Sequence, residues 1–579
     1  MAEIKQIFQL TSIPGIKRDG TELDGDNYSD GQWVRFQRGR PKKMGGYTRI
    51  TDQLRGPIYS SLVWSQSTMN NIFTFHEAGI QLVQVSATGT SGSVVDRTPS
   101  GFIEDSKIIW SVDTMFDAAA GSNKTMVLAL PASLQGDIDD QTERPLYVGE
   151  ATVTTAFTVV ADSNAVASGG VFVSSPYAVL YGSNGKVTWS NANEPQNYTS
   201  GDAGTARITG SKIIKGMSLR SGSGAGGLLW SLDSVIRMDW IGGSQIFRFS
   251  TLSRQSSILS ANSVVEYDGN YYWVGIDRFM MSNGSQVAEV PNDMNLNWFF
   301  DGLNNTQRSK VWGMKIPRYG EIWWFFPKDE NTECSHAVIL NVREKTWYDI
   351  ELTRFAGYHQ QVFNNPVMSG QDISNQRLMK LTISVGSFLA DDLVTGGTSG
   401  ATGIVRVVDG ANGFYYIDLS TVTEFEVSEV LTNNTRSGTA SISVYESLYS
   451  MYIHEYGSDA ILGETYGAID SWVTTADLGL PTGGPAQNAQ QGMNRWTRLV
   501  RIEPDFKMTG DMTVEVLGRE FANSDEVVTG PFTFSNTDPK IDLRVQQRHL
   551  RLKFTSNTSN GSYEMGKVLL HTEPGDIRS

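Results

Sequence analysis

Short apolar or alternating runs, each bounded by Gly, Asn, Asp or Ser, recur along almost the whole chain, while stretches with the 3.6-residue period of an amphipathic helix are scarce. That pattern predicts an all-β protein. The clearest hairpin is Val264-Val265-Glu266-Tyr267-Asp268-Gly269-Asn270-Tyr271-Tyr272-Trp273, where an Asp-Gly pair supplies the positive φ angles of a tight turn between strands rich in aromatic and β-branched residues. Further strands are expected over Asn71 to Val85, Gly227 to Trp230, Glu321 to Phe326 and Ala337 to Trp347. Ile322-Trp323-Trp324-Phe325-Phe326 is apolar at consecutive positions, so both faces of that strand belong between neighbouring sheets.

Aromatic-bearing strand clusters fall near Trp64, Trp110, Trp189, Trp230, Trp273, Trp324 and Trp347, separated by turns but without an exact repeat. Irregular four-stranded blades of a β-propeller account for this spacing, because each small sheet covers the face of the next without helices. A set of β-sandwiches is the alternative. From about Lys380 to Tyr445 the aromatics thin out, and a Gly-rich run at 397–403 precedes Ile404-Val405-Arg406-Val407-Val408, which reads as an inserted small β domain. The resulting organisation is an N-terminal docking segment (1–50), a main β-propeller (51–379), the inserted domain (380–445) and a C-terminal β region (446–579) that completes the propeller or forms a platform. Near the end, Ile541, Leu543 and Val545 share one parity and Leu550, Leu552 and Phe554 the other, so a bulge or turn near Gln546 to His549 resets the register. Arg544, Arg551 and Lys553 then face solvent or a partner.

Composition agrees with a turn-rich β protein: 14 Trp, 21 Tyr and 25 Phe are accompanied by 58 glycines in 579 residues. The formal charge of −15 is spread along the chain, which disfavours a sequence-reading nucleic-acid binder with its concentrated basic surface. The single cysteine, Cys334, cannot form an intramolecular disulfide and reads as a buried small apolar residue. No cationic region followed by an apolar run opens the chain, and no stretch approaches 18 uncharged apolar residues, so the expectation is a soluble protein without membrane insertion.

Enzyme chemistry finds no constellation here. Ser183-Asn184-Gly185-Lys186-Val187-Thr188-Trp189, an echo of a sialidase-type Asp box, lacks the Asp and reads as a turn before a core Trp. The six histidines, at 76, 336, 359, 454, 549 and 571, are not at metal-ligand spacing from each other or from Cys334. Gly222, Gly224, Gly226 and Gly227 read as a flexible turn rather than a phosphate cradle. Asp24, Asp26 and Asp30 resemble a calcium loop, yet Tyr28 and Arg35 stand where ligands are needed, so a polar turn is favoured. No catalytic, cofactor-binding or metal residue is therefore named. The one strong basic run, Arg35, Arg38, Arg40, Lys42 and Lys43, suits docking to an acidic neighbour; a minor-groove DNA contact around Gly39-Arg40-Pro41 and a solvated loop are the alternatives.

Several stretches resemble tail proteins of short-tailed bacteriophages, namely Ile13-Pro14-Gly15, the run from Asp30 to Tyr47, and Glu289-Val290-Pro291. So do Val187-Thr188-Trp189-Ser190 with Glu194-Pro195, and Ile469-Asp470-Ser471-Trp472 with Pro504-Asp505. The closest group is the β-propeller tail nozzle, or tail hub, family, and the Gly397 to Val405 pattern is similar to small modules of many phage structural proteins. The resemblance implies a non-enzymatic virion component, assembled in the host cytoplasm into a ring that usually has six copies. It implies portal-adaptor proteins and tail fibre, spike or needle proteins as partners. Viral DNA would pass with transient, non-specific contact, and net acidity suits such a conduit, since each cation on a phosphate slows sliding. A receptor-binding or glycan-depolymerising tail protein is the alternative.

Overall fold

The computed structural model describes the chain apart from residues 1–5, 11, 22–25, 67, 88, 120–123, 134–141, 221–224, 244, 360–364, 372–375, 411–412, 463–464, 479–495, 522 and 576–579. Two compact units are present, one of Met1–Thr48, Ser256–Thr353 and Ile453–Ser579, the other of Arg49–Gln255 and Arg354–Tyr452. The fold is all-β, an irregular β-propeller with an inserted small β domain and further β structure from both termini.

In the second unit, four antiparallel meanders of four strands follow one another. They are Ser60–Ser65 to Gly92–Asp96, Ile108–Asp117 to Thr158–Val159, Gly170–Ser174 to Gly204–Arg207 and Ile213–Ser218 to Phe247–Ser253. Inner strands such as Tyr177–Tyr181 and Gly226–Ser231 are buried at every position, and the blades share cores with their neighbours. Phe73, Phe75 and Leu82 of the first blade share a core with Trp110, Val127 and Phe157 at the second. Leu128 and Val148 of the second meet Ala178 and Leu180 of the third, and Val179 and Trp189 of the third meet Leu229 and Met238 of the fourth. Where one blade's first strand passes the next without main-chain pairing, side chains supply the hydrogen bonds. Ser60 donates to the Trp110 carbonyl, Ser111 Oγ bonds both the N–H and the C=O of Val171 at 3.0 Å, and Ser174 Oγ bonds both groups of Gly226 at 2.7 and 2.8 Å. These bonds satisfy backbone groups that burial would otherwise leave unpaired.

The inserted domain is a closed six-stranded barrel. Its strands run in the order Gln376–Val385, Phe414–Leu419, Thr402–Asp409, Leu393–Gly396, Val430–Asn433 and Gly438–His454, and the last pairs back on the first, Arg377 opposite Ser447. Closure leaves no unpaired edge. Met379, Val394, Val405, Ile417, Leu431 and Ile442 fill its interior.

The first unit holds two more four-stranded blades, Val265–Tyr267 to Val287–Glu289 and Trp312–Ile316 to Thr346–Glu351. Phe279, Trp324, Phe326 and Trp347 lie in their common core, and Glu321–Phe326 is buried at every position, as its unbroken apolar run requires. A short helix, Leu296–Gly302, receives the Asp19 carboxylate on the N–H groups of Asn297 and Trp298, both at 2.8 Å. Two further sheets stack through Phe506, Phe534, Phe554 and Tyr563. One contains Asp30–Gln32, Ser471–Thr474, His549–Ser556, Met512–Arg519 and Val527–Phe534; the other contains Ile541–Gln547, Thr497–Thr509, Ser562–Pro574, Arg40–Lys43 and Val34–Gln37.

Two expected strands are in fact hairpins. Asn71 to Val85 turns at Glu77–Ala78 between Met69–His76 and Gly79–Ser86, and Ala337 to Trp347 turns at Lys345, whose φ is 54°, between His336–Asn341 and Thr346–Glu351. The Asp268–Gly269 hairpin has the anticipated positive φ angles, 52° and 78°. The parity change near Arg548 marks the crossing from one terminal sheet to the other: Ile541 and Leu550 are both inward-facing, but in different sheets. Arg544 is exposed, Arg551 donates to Glu526 at 2.6 Å, and Lys553 lies 4.9 Å from the centre of the Trp472 ring.

Candidate docking surface

The basic run lies on the hairpin Val34–Gln37/Arg40–Lys43, whose two-residue turn, Arg38–Gly39, has φ 52° and 73°. Its register divides the five cations into two groups. Arg35 is not on the surface: it is 1% exposed, with Nε and Nη2 donating to Glu321 at 2.8 and 3.1 Å and Nη1 and Nη2 to Glu455 at 2.8 and 2.5 Å. The Tyr319 ring lies 3.6 Å from the guanidinium, and Tyr348 and Trp323 complete the coordination of Glu321 at 2.7 and 2.8 Å. Burial would lower the Arg35 pKa, but Glu321 and Glu455 outweigh it and hold the group well above its ordinary value.

Lys43 is 4% exposed, its Nζ has no hydrogen-bond partner among the described residues, and burial pushes its pKa down against the opposing pull of Asp459 and Asp470. Arg35 and Lys43 are thus removed from the expected docking surface. Both faces of the strand Val34–Gln37 are covered: Lys43 pairs across the hairpin with Val34 and shares its face, whereas Arg35, between Val34 and Phe36, points to the other face, where Glu321 and Glu455 receive it. Arg38 and Arg40 are exposed and Lys42 half-buried.

The fold adds cations that the sequence run does not contain. Glu344 accepts from the N–H groups of Arg38 and Gly39 at 2.5 and 3.1 Å, and Asn341 Nδ2 donates to the carbonyls of Phe36 and Tyr319 at 3.3 and 3.4 Å. These bonds set the hairpin turn beside two turns of the last blade, which carry the exposed Arg318, Arg343 and Lys345. In a meander, the first and third turns emerge at the same end, so basic residues 25 positions apart meet there. That spacing was the available sequence signal.

Other singled-out residues have structural partners. Asp30 bonds Arg18 at 2.6 Å and accepts from Trp472 at 3.2 Å, while Asp24 lies outside the described residues. Gly222 and Gly224 also lie outside them, and Gly226 and Gly227 begin the strand Gly226–Ser231 rather than forming a turn. Ser183–Gly185 is a 3-10 turn with Asn184 at φ 55°, leading into the buried Trp189. Cys334 is buried, and that burial pushes its thiol well above the ordinary range. Among the described residues, no group of three or more His, Cys, Asp or Glu is placed to hold a metal ion, and no helix is long and apolar enough to cross a membrane. An open cleft of about 890 Å³ between the outer strands of the third and fourth blades is lined by Asp202, Arg207, Arg248 and Phe249 among others.

No protein-family model and no curated protein matches the chain. Solved structures with similar folds include an ancestral GH74 enzyme (11% identity, TM-score 0.34, covering 69% of this chain and 52% of the enzyme). The WD40 domain of Toxoplasma gondii coronin is similar at 9% identity and TM-score 0.30, covering 70% of this chain and 88% of the domain. The computationally designed Ika8 protein is similar at 9% identity and TM-score 0.32, covering 70% of this chain and 99% of the design.

Proposed function

We propose that the chain is a structural component of a short bacteriophage tail, a nozzle or hub subunit. In this reading it assembles as a homo-oligomeric ring, six copies in the family it resembles, below portal-adaptor proteins and carrying tail fibre, spike or needle proteins. One observation carries the reading: residues of the run from Asp30 to Tyr47, together with Ser471, sit at the joints of the first unit. Trp33 donates to the Gly45 carbonyl at 3.1 Å, Ser471 donates to the Trp33 carbonyl at 3.0 Å, and Arg35 joins Glu321 to Glu455. A Cβ on Gly45 would lie 2.6 Å from Glu455 Oε2, and one on Gly46 2.2 Å from the Asp459 carbonyl oxygen, so neither position tolerates a side chain. Residues spent in this way maintain a scaffold. The net charge of −15 suits a DNA conduit, because a wall poor in free cations lets a polyanion slide.

Electron microscopy of particles with this protein labelled tests the proposal. Label on the tail axis and rings of the purified chain are the expected results. Label on peripheral appendages, or release of reducing sugars from host envelope by the purified chain, would replace it with the receptor-binding or depolymerising reading.

A further inference from the structure

The turn Arg38–Gly39, the turn containing Arg318 and the turn containing Arg343 and Lys345 make one basic surface at the end of the last blade, on a chain with 62 acidic and 47 basic residues. Arg38, Arg40, Arg318, Arg343 and Lys345 are all exposed. The acid among them, Glu344, is engaged by two backbone N–H groups. Arg343 Nη2 donates to the Pro317 carbonyl at 2.8 Å, which ties the two blade turns together. Arg38, Arg40, Arg318 and Lys345 have no ion-pair partner among the described residues, so their charges are available.

We propose that this surface docks a second copy of the chain through carboxylates of that copy; the identity of the occupant rests on the ring reading above. Exposed guanidinium groups are weakly hydrated forks that fit carboxylates two bonds at a time. The surplus of 15 acidic residues guarantees that a second copy offers such groups. The opposite end of the same blade already shows two, the exposed Asp329 and Glu330 in the turn after Glu321–Phe326, with Lys328 offsetting Asp329 at 2.6 Å. A basic surface that meets an acidic surface elsewhere on an identical chain is a heterologous contact, the kind that generates a ring when the rotation between copies closes. Duplex DNA fits less well, because its dense phosphate charge would extend past three turns onto a body of net charge −15.

The test is sedimentation of the full chain at low and raised salt, comparing wild type with Arg40→Glu/Arg318→Glu, two sites without positive φ. Wild type should self-associate in a salt-sensitive way, and the variant should associate roughly tenfold more weakly or worse with unchanged circular dichroism and melting. If the double reversal disturbs folding, Arg40→Gln/Arg318→Gln should weaken association by a smaller factor in a folded chain. Equal assembly of folded variant and wild type overturns this surface while leaving the ring reading to stand on another one. A wild-type chain that stays monomeric, or duplex binding that the variant loses, overturns the second-copy assignment; axial labelling of particles then decides the ring reading independently.

Discussion

Arg35, in the joint of the first unit, and Arg97, between the first two blades of the second, are both sealed from solvent, and their surroundings differ in kind. Arg35 lies between two carboxylates, each with further donors, so its charge is neutralised where it sits. Among the described residues, no carboxylate is in contact with Arg97. Its Nε and Nη1 donate to the carbonyls of Thr155 and Glu150 at 2.6 and 3.0 Å, its Nη2 has no hydrogen-bond partner among the described residues, and the rings of Phe157 and Phe73 lie 4.7 and 5.3 Å from its guanidinium. Burial lowers its pKa to about 10, with Glu150 opposing. Two buried cations of one residue type therefore have opposite consequences: one is a cross-link whose members require each other, the other a filler stabilised by dipoles and ring faces.

The largest expected effect follows from breaking the cross-link. Arg35→Met keeps most of the volume but leaves Glu321 and Glu455 buried without their cation, which costs about 3–5 kcal/mol. Chemical denaturation should show that loss. Neutralising the carboxylates as well, in Arg35→Met/Glu321→Gln/Glu455→Gln, should recover part of it. A loss below about 1 kcal/mol for the single variant would mean that the triad does not hold the joint.

How much of this was legible in the sequence depended on range. The Asp268–Gly269 hairpin and the apolar strand from Ile322 were readable because turn chemistry and burial on two faces act over a few residues. The barrel announced itself through thinning aromatics and the Gly-rich run at 397–403, although its closure, Arg377 opposite Ser447, is a pairing of distant strands. The stitches by Ser60, Ser111 and Ser174 were invisible, since a serine in a strand says nothing until its neighbouring blade is known. The basic run was misread in two places for the same reason. Five cations close together look like an exposed docking surface, but both faces of the strand Val34–Gln37 are covered, and the partners that make burial of Arg35 tolerable, Glu321 and Glu455, lie hundreds of residues away. Conversely, Arg318, Arg343 and Lys345 belong to the exposed cluster only because meander turns share an end.

A pH experiment sharpens the contrast on the second unit's side, where His76 lies buried at the end of the strand Met69–His76. Burial, and then the charge of Arg55, depress its pKa to about 3, so the folded state holds it neutral. In the unfolded chain it takes up a proton near pH 6.5. The unfolded state therefore binds more protons between those two values, and stability that is complete above about pH 6.5 declines as pH falls toward 3, by up to about 1.4 kcal/mol per pH unit. His76→Gln should flatten that part of the stability–pH curve. An unchanged slope in the variant would show that other groups set the acid limit.

The smallest effect is expected at Arg97 itself, which makes it the sharper check on the comparison. Arg97→Met removes a cation that burial already disfavours, and no carboxylate is stranded by its loss. The carbonyl of Thr155, on an exposed residue, can take water instead, and the main-chain bonds of residue 97 to Ile80 and Phe157 do not involve the side chain. A thioether packs against aromatic rings such as Phe73 and Phe157 at little cost. The net change should lie within about 1 kcal/mol of zero, and a modest gain is allowed, because replacing buried charge by apolar volume is often neutral or stabilising. Denaturation of Arg97→Met beside Arg35→Met measures the difference directly. Equal losses at the two sites would show that enclosure alone, and not the presence of paired carboxylates, sets the cost of removing a buried arginine from this fold.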